Sequence, residues 1–485
     1  MTTHVAEALP GLLPPFLPTQ RWFGDKARRV AVCEVEDLAP LDEAGRALVV
    51  VVGVRFDDGA RQRYSLVVAL RPAAGSLPVL GRLPDGACLV EAGSDPEATG
   101  ALLRGFASDG DLPMAHGGRL RYADASEDAR GALAGAPPPI RPLGAEQSNT
   151  SSRVGTRFVF KLFRRLDVGE NPEVEVGRFL TSETGFRAMP ALEGSLTYVA
   201  PAGEPSTLGV LQQWVESTGD GWRYTLAGLG AIRGTGAGVP SLASDIGQLG
   251  AITADFHAAL ASSRTAPAFA PEPITGRDVD AWMAEVRTQM TGALALVEQR
   301  RSDWPGSTRA LAADALARVP SVWGRLQAPH VVGAGACSRI RIHGDYHLGQ
   351  TLKTPTGFAL IDFEGEPAIP IARRRHKQSA LKDVAGMLRS FDYAIETACA
   401  DRPEAAGDLR ATAGLREAFL DSYFEGATGH HSEAIPAGAI ARARWLAFFE
   451  FGKALYELDY EINNRPDWVH IPLRGLLHAL DGLDT

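Results

Sequence analysis

The stretches Arg341–Gln350 (RIHGDYHLGQ) and Ile361–Glu366 (IDFEGE) flank a short apolar hairpin, and no other feature constrains this chain as much. Between them Thr351-Leu352-Lys353 runs into Thr354-Pro355-Thr356-Gly357, and Phe358-Ala359-Leu360-Ile361 runs out again. The Pro and Gly mark a turn, so the two runs read as paired strands. Such a hairpin places Asp345 and Gln350 at one end and returns Asp362 to the same end. Two carboxylates and an amide oxygen converging in this way repel one another unless a divalent cation lies among them. An all-oxygen donor set suits Mg²⁺.

The spacing adds to the chemistry. His343-Gly344-Asp345, four further residues, Gln350 and then Asp362-Phe363-Glu364 keep the order and offsets of a kinase catalytic loop, H-R-D-x-x-x-x-N followed by D-F-G. In that template the first Asp accepts the proton of the substrate hydroxyl. The amide binds a metal ion, and the second Asp binds metal that bridges the phosphates. Gly in place of Arg and Gln in place of Asn point away from protein kinases and toward small-molecule kinases of the same fold. A polar loop with satisfied buried hydrogen bonds would explain a lone H-x-D, but not the whole constellation.

The length of 485 residues allows two to four domains and a substantial core. With 49 Lys plus Arg against 58 Asp plus Glu, the net charge of −9 argues against a general nucleic-acid binder. The four cysteines, Cys33, Cys88, Cys337 and Cys399, are far apart and form no C-x-x-C, which predicts a reducing compartment without structural zinc or disulfides. Pro10, Pro14 and Pro15 interrupt an N-terminus that also lacks a basic leader. No signal peptide or membrane-spanning run is expected, and the location expected is cytoplasmic.

Residues 30–35, 47–54 and 63–68 are β-rich runs, with the hairpin signal Asp57-Asp58-Gly59 between the last two. Residues 1–95 therefore read as a small α+β cap, in which Trp22 and Phe23 pack onto the sheet rather than forming a ligand platform. The composition changes again at Pro137-Pro138-Pro139, and residues 96–217 read as a β-rich nucleotide-binding lobe with its linker. Its polar loop, Arg141 to Arg153, includes Ser148, Asn149 and Thr150, small residues whose backbone and hydroxyls can approach a phosphate closely. Lys161 follows on an apolar strand, as the phosphate-pairing lysine of kinases does. Its acidic partner is expected at the helix start Asn171-Pro172-Glu173, where Glu173 and Glu175 are candidates and Glu175 is preferred. The run Val210 to Glu216 reads as an extended strand and hinge where backbone groups, at Gln213 and Val215, would meet adenine. Trp214 within it reads rather as core.

Residues 218–485 read as a mostly helical lobe with helices at 249–260, 278–299, 307–319, 380–394 and 451–461. His257 is expected to be a packed core histidine. Asp383 would either brace the catalytic loop or complement the helix dipole. The basic run Arg373 to Lys377 reads as a solvated face, though its nearness to the phosphate chemistry leaves a ligand contact open. On the last helix Tyr456 and Tyr460, like Glu457 and Glu461, are four residues apart and make an aromatic and an acidic stripe, with Trp468 just beyond. Aromatic faces beside carboxylates suit a hydroxyl-rich ligand such as a sugar; ordinary surface acids on an amphipathic helix are the alternative.

Several stretches together resemble the bacterial maltokinases, relatives of the aminoglycoside phosphotransferases. They are Gln20 to Gly24, Glu146 to Ser151, His343 to Gln350, Asp362 to Pro367, Asp383 to Ser390, Tyr456-Glu457 and Arg465 to Trp468, in the same order along nearly the whole chain. The resemblance implies an α+β, bilobal, protein-kinase-like fold with an N-terminal cap and a helical C-lobe. It implies Asp345 as catalytic base, Gln350 and Asp362 as Mg²⁺ ligands, and ATP phosphates near Ser148, Thr150 and Lys161. The expected acceptor set is His343, Asp345, Glu364, Tyr456, Glu457, Glu461 and Trp468. The expected activity is ATP- and Mg²⁺-dependent phosphorylation of a small sugar, maltose in the first place. Glucosamine kinases are similar, and Ala380 stands where the maltokinase pattern has Pro. The acidic stripe would suit an ammonium-bearing sugar, so the aminosugar stays open beside two other rivals, a non-catalytic ATP- or sugar-binding regulator and an aminoglycoside kinase.

Overall fold

The computed structural model describes residues 2–83, 86–136, 138–144, 148–235, 238–323, 337–430 and 432–481. The chain forms two compact units, residues 1–183, 190–214 and 369–373 in the first and 184–189, 215–368 and 374–485 in the second.

The first unit begins with α1 (Thr2–Phe16), which contains Pro10, Pro14 and Pro15. Interior prolines cost a helix backbone hydrogen bonds. Here Val5, Leu9 and Leu13, one turn apart, are fully buried, and that stripe holds the helix in place. The prolines break the apolar run in the sequence but not the helix. Strands β1 (Val30–Pro40), β2 (Ala47–Phe56), β3 (Arg61–Arg71), β4 (Val79–Arg82) and β5 (Cys88–Glu91) form an antiparallel sheet in the order β1-β2-β3-β5-β4. Leu48, Val50, Val52 and Phe56 of β2 join the cluster holding the α1 stripe, while Val49 and Val51 join Leu120, Phe160 and Leu211 of the next sheet. Burial on both faces explains why β2 is a continuous apolar run instead of an alternating one. Phe23 is buried 5.2 Å from Tyr64 between ring centroids and Trp22 lies 6.1 Å from it, so both pack onto this sheet.

After α2 (Pro96–Leu103) come β6 (Gly110–Pro113), β7 (Arg119–Ala123), α3 (Glu127–Leu133), β8 (Ile140–Leu143), β9 (Asn149–Val154), β10 (Phe158–Phe163), α4 (Pro172–Glu183), β11 (Leu192–Val199) and β12 (Pro205–Gln213). Their seven strands form a second sheet, β6-β7-β11-β12-β10-β9-β8. The last strand starts earlier than the sequence implied and ends at Gln213, so Trp214 and Val215 lie beyond it. Trp214 is half-buried there, its ring 4.0 Å beneath the Arg153 guanidinium.

The second unit is mainly helical: α5 (Gly221–Thr235), α6 (Val239–Leu260), α7 (Gly276–Arg300), α8 (Gly306–Val322), α9 (Leu381–Ala398), α10 (Ala406–Ala413), α11 (Leu415–His430), α12 (Ala439–Asn464) and α13 (His470–Asp481). Two small ribbons interrupt them, β13 (Glu272–Pro273) with β14 (Ser338–Arg339), and β15 (Thr351–Thr354) with β16 (Gly357–Leu360). α6 packs along α11, and α12 packs against α7, α9 and α13. α9 is enclosed by these neighbours, so even Asp383 and Arg389 on it are buried at 2% exposure each. No helix among the described residues is long and apolar enough to cross a membrane.

Candidate active site

The hairpin pairs Thr351 with Leu360 through Thr354 with Gly357. One further hydrogen bond, from Ile361 N–H to the Gln350 carbonyl at 3.0 Å, extends the pairing past the strands. Gln350 and Asp362 thereby stand side by side, and the Gln350 amide nitrogen donates to Asp362 Oδ2 at 2.9 Å. That bond orients the amide with its nitrogen on the carboxylate, so its oxygen remains as a hard acceptor. Asp362 has φ +68°, a left-handed conformation that non-glycine residues rarely adopt and that tends to occur where a side chain must be aimed.

The loop before the hairpin hangs from Asp383. Its buried carboxylate accepts the backbone N–H of His343 at 2.7 Å and of Gly344 at 2.9 Å, and meets His257 Nε2 at 3.2 Å. His257 is fully buried, and its Nδ1 contacts the Tyr423 hydroxyl at 3.0 Å. Burial alone would raise the pKa of Asp383, but the His257 hydrogen bond, the nearby imidazoles and the Gly344 N–H outweigh it and hold the pKa below the ordinary carboxylate value. Asp383 thus braces the loop, and His257 is a core histidine. Gly344 has φ +86°, which is why the kinase Arg is Gly here. A side chain at Gly386 on α9 would come within 2.6 Å of the Tyr346 carbonyl, so that glycine lets the loop lie against the helix.

His343 itself is 2% exposed, its ring against Tyr346 and Phe363 and its Nε2 3.0 Å from the Ile361 carbonyl. It ties the two ends of the catalytic stretch together from beneath, and that burial removes it from the expected acceptor set. Asp345 is half-buried. Its carboxylate meets Lys453 Nζ at 3.6 Å and His347 Nε2 at 3.9 Å. Lys453 is on α12 and was not among the residues singled out from sequence. Its signal was there, since it precedes Tyr456 by three residues and Glu457 by four and so shares their face. Burial works against charge on Lys453, yet Asp345, Glu366 and Glu457 outweigh it and raise its pKa. Glu366, also not singled out, hydrogen-bonds Tyr456, whose phenol pKa is raised by burial first and by Glu366 next.

The acidic stripe on α12 is neutralised within the protein. Glu457 accepts from Arg389 Nε at 2.9 Å and lies 2.8 Å from Nη2, while Arg389 Nη1 donates to Asp392 at 2.7 Å. Glu461, 1% exposed, takes the Arg465 fork at 2.6 and 2.9 Å and the Tyr393 hydroxyl at 3.0 Å. Trp468 is half-buried and stacked on Tyr393 at 6.1 Å and 26°, with the Arg465 guanidinium 4.9 Å over its ring. The basic run is not simply solvated: Arg374 donates to the Glu364 carbonyl at 3.2 Å, and Lys377 is buried against the Pro267 carbonyl at 2.7 Å.

In the first unit Lys161 lies on an interior strand of the second sheet, opposite Ser151 and Val210, and is 5% exposed. It is therefore not a solvated strand lysine, and a buried ammonium calls for an acid. Glu173 and Glu175 are both buried in the first turn of α4, and Glu173 accepts from the Gln212 amide at 2.7 Å. Ser148 is exposed, Asn149 and Thr150 are half-buried, and Thr150 Oγ1 accepts from Arg164 Nε at 2.8 Å. Glu146 and Gln147 lie outside the described residues. Gln213 is exposed at the end of its strand, with its N–H on the Ala191 carbonyl at 2.9 Å, and Val215 follows half-buried.

Residues 16–86 match the maltokinase N-terminal cap domain, and residues 139–365 match the phosphotransferase enzyme family. The two matched segments follow one another along the chain, the cap first and the phosphotransferase segment after it. The second match ends just past Asp362-Phe363-Glu364 and so takes in Asp345, Gln350 and Asp362. A glucosamine kinase of Mycolicibacterium smegmatis is 28% identical over 76% of this chain and 84% of its own length. One of Streptacidiphilus jiangxiensis is 27% identical over 70% and 73%. A solved glucosamine kinase in complex with glucosamine, ADP and inorganic phosphate superposes with a TM-score of 0.68 at 23% identity, covering 99% of both chains. A second crystal form gives 0.71, covering 98% and 99%. These similarities establish a shared fold over nearly the full length.

Proposed function

We propose that this protein is an ATP- and Mg²⁺-dependent kinase of a small sugar, with a neutral sugar such as maltose as its acceptor. The observation that carries the reading is the Gln350–Asp362 pair at one end of the hairpin, entered by a loop that carries Asp345 and hangs from Asp383. The residues fit Mg²⁺: one carboxylate and one amide oxygen from the chain are what this ion takes when phosphates and water supply the rest. Bound there on Gln350 and Asp362, the ion would neutralise charge on the phosphates. Asp345 would accept the proton of the acceptor hydroxyl as its oxygen bonds to the γ-phosphorus and the bond to ADP breaks. Lys161, partnered by Glu175, with Ser148 and Thr150, would serve the phosphates, and the backbone at Gln213 and Val215 the adenine.

The acceptor would lie along α12, since Lys453 on the face of Tyr456 and Glu457 reaches the Asp345 carboxylate at 3.6 Å. Both acids of that face already have arginine partners, so neither is left to neutralise an ammonium group. That favours a neutral sugar over a cationic one. The second reading, glucosamine, is favoured by the names of the relatives. An ADP-release assay across maltose, glucosamine, glucose and an aminoglycoside decides between them. Release with maltose supports the neutral-sugar reading, and release with glucosamine alone replaces it with the second. Binding of ATP without release under any acceptor would make the chain a regulator and overturn both.

A further inference from the structure

We propose that Lys453 is a positioning residue for phosphoryl transfer, holding the Asp345 carboxylate in line from a different helix; this rests on Asp345 being the base. Asp383 is fixed by two backbone N–H groups, whereas no backbone N–H among the described residues is hydrogen-bonded to Asp345. What faces Asp345 is Lys453 at 3.6 Å and His347 at 3.9 Å. His347 is turned to its own loop, its Nδ1 accepting the Gly349 N–H at 3.0 Å. Lys453 is the cation that reaches Asp345 from another element.

Its setting is built for that. Lys453 lies mid-helix beside the buried Ala454 and Leu455, with its ammonium 4.7 Å from the centre of the Tyr456 ring. An ordinary buried ion pair closes to hydrogen-bond contact, as Arg389 and Glu457 do at 2.8 and 2.9 Å. Lys453 stops at 3.6 Å from Asp345. The carboxylate is thus steered by charge while its oxygens remain able to take the hydroxyl proton. A loose phosphoryl-transfer transition state asks little base strength but exact placement, so a cation beside the base costs little and positions much.

The test is a double-mutant cycle of Lys453→Met and Asp345→Asn, read by ADP release with maltose and, in a parallel arm, glucosamine. Lys453→Met should lower kcat about 10- to 100-fold, within the range for a mispositioned base, and leave the acceptor KM within about threefold. Lys453→Arg should recover most of that loss. Added to Asp345→Asn, Lys453→Met should change the residual rate less than about threefold, because it acts through the group already removed. The same loss in both backgrounds, or an unchanged kcat, overturns the proposal. Near wild-type turnover by Asp345→Asn alone would instead remove Asp345 as base, which is a separate failure. ADP calorimetry and thermal unfolding check that Lys453→Met is folded, and Lys453→Gln takes its place if it is not.

Discussion

Asp383→Asn keeps size and shape at the point from which the catalytic loop hangs, and its cost can be worked out from the geometry. The wild-type carboxylate receives the His343 N–H on one oxygen and the Gly344 N–H on the other, with His257 against the first. An amide has one oxygen. Its NH₂ must then face either a backbone N–H or the imidazole, donor against donor. One charge-assisted bond is lost, worth about 1.5–3 kcal/mol, and a buried donor is stranded at about 1–3 kcal/mol, so the variant should lose about 3–5 kcal/mol. The pKa of Asp383 is lowered in the folded protein, so its contribution is present above the unfolded carboxylate value and is lost as pH falls through the folded one. The difference between wild type and variant in urea unfolding should therefore be present at pH 7 and shrink as pH falls below about 4. Because the loop carries Asp345, kcat should fall about 10- to 100-fold with ADP binding retained. A difference under about 1 kcal/mol at pH 7, or one that does not shrink in acid, would refute the bracing argument.

Asp345→Asn should reduce kcat by about 10²–10⁴-fold and leave ADP affinity in calorimetry near wild type. Asp362→Ala should weaken both turnover and Mg²⁺-dependent ATP affinity, and unchanged calorimetric affinity would reassign this carboxylate. Glu457→Gln leaves the buried Arg389 with Asp392 as its remaining acid and should cost about 1–3 kcal/mol in thermal unfolding. If the acceptor is a neutral sugar, its KM should rise modestly under Glu457→Gln, whereas a cationic acceptor would show a steep rise.

The catalytic stretch was legible because its information is local. A turn signal between two short apolar runs pairs them as a hairpin, and that pairing sets Gln350 beside Asp362. The burial of Lys161 was legible for the same reason: a lone lysine in an apolar strand has few places to go, and the strand is interior. α1 was harder, because three prolines speak against a helix that only the buried stripe of Val5, Leu9 and Leu13 sustains.

What tertiary structure alone decided was the charge balance of the acidic face of α12 and the surroundings of Asp345. Sequence put Glu457 and Glu461 four residues apart on one helix and so showed an acidic stripe. Arg389 reaches that stripe from α9, 68 residues earlier in the chain, and no periodicity of α12 could reveal it. Lys453 likewise lies more than a hundred residues from Asp345 and meets it only because α12 packs beside the loop. Spacing along a chain fixes which groups share a turn or a face. Which charge meets which across two elements depends on how helices pack, and that is settled by the shape of the whole core.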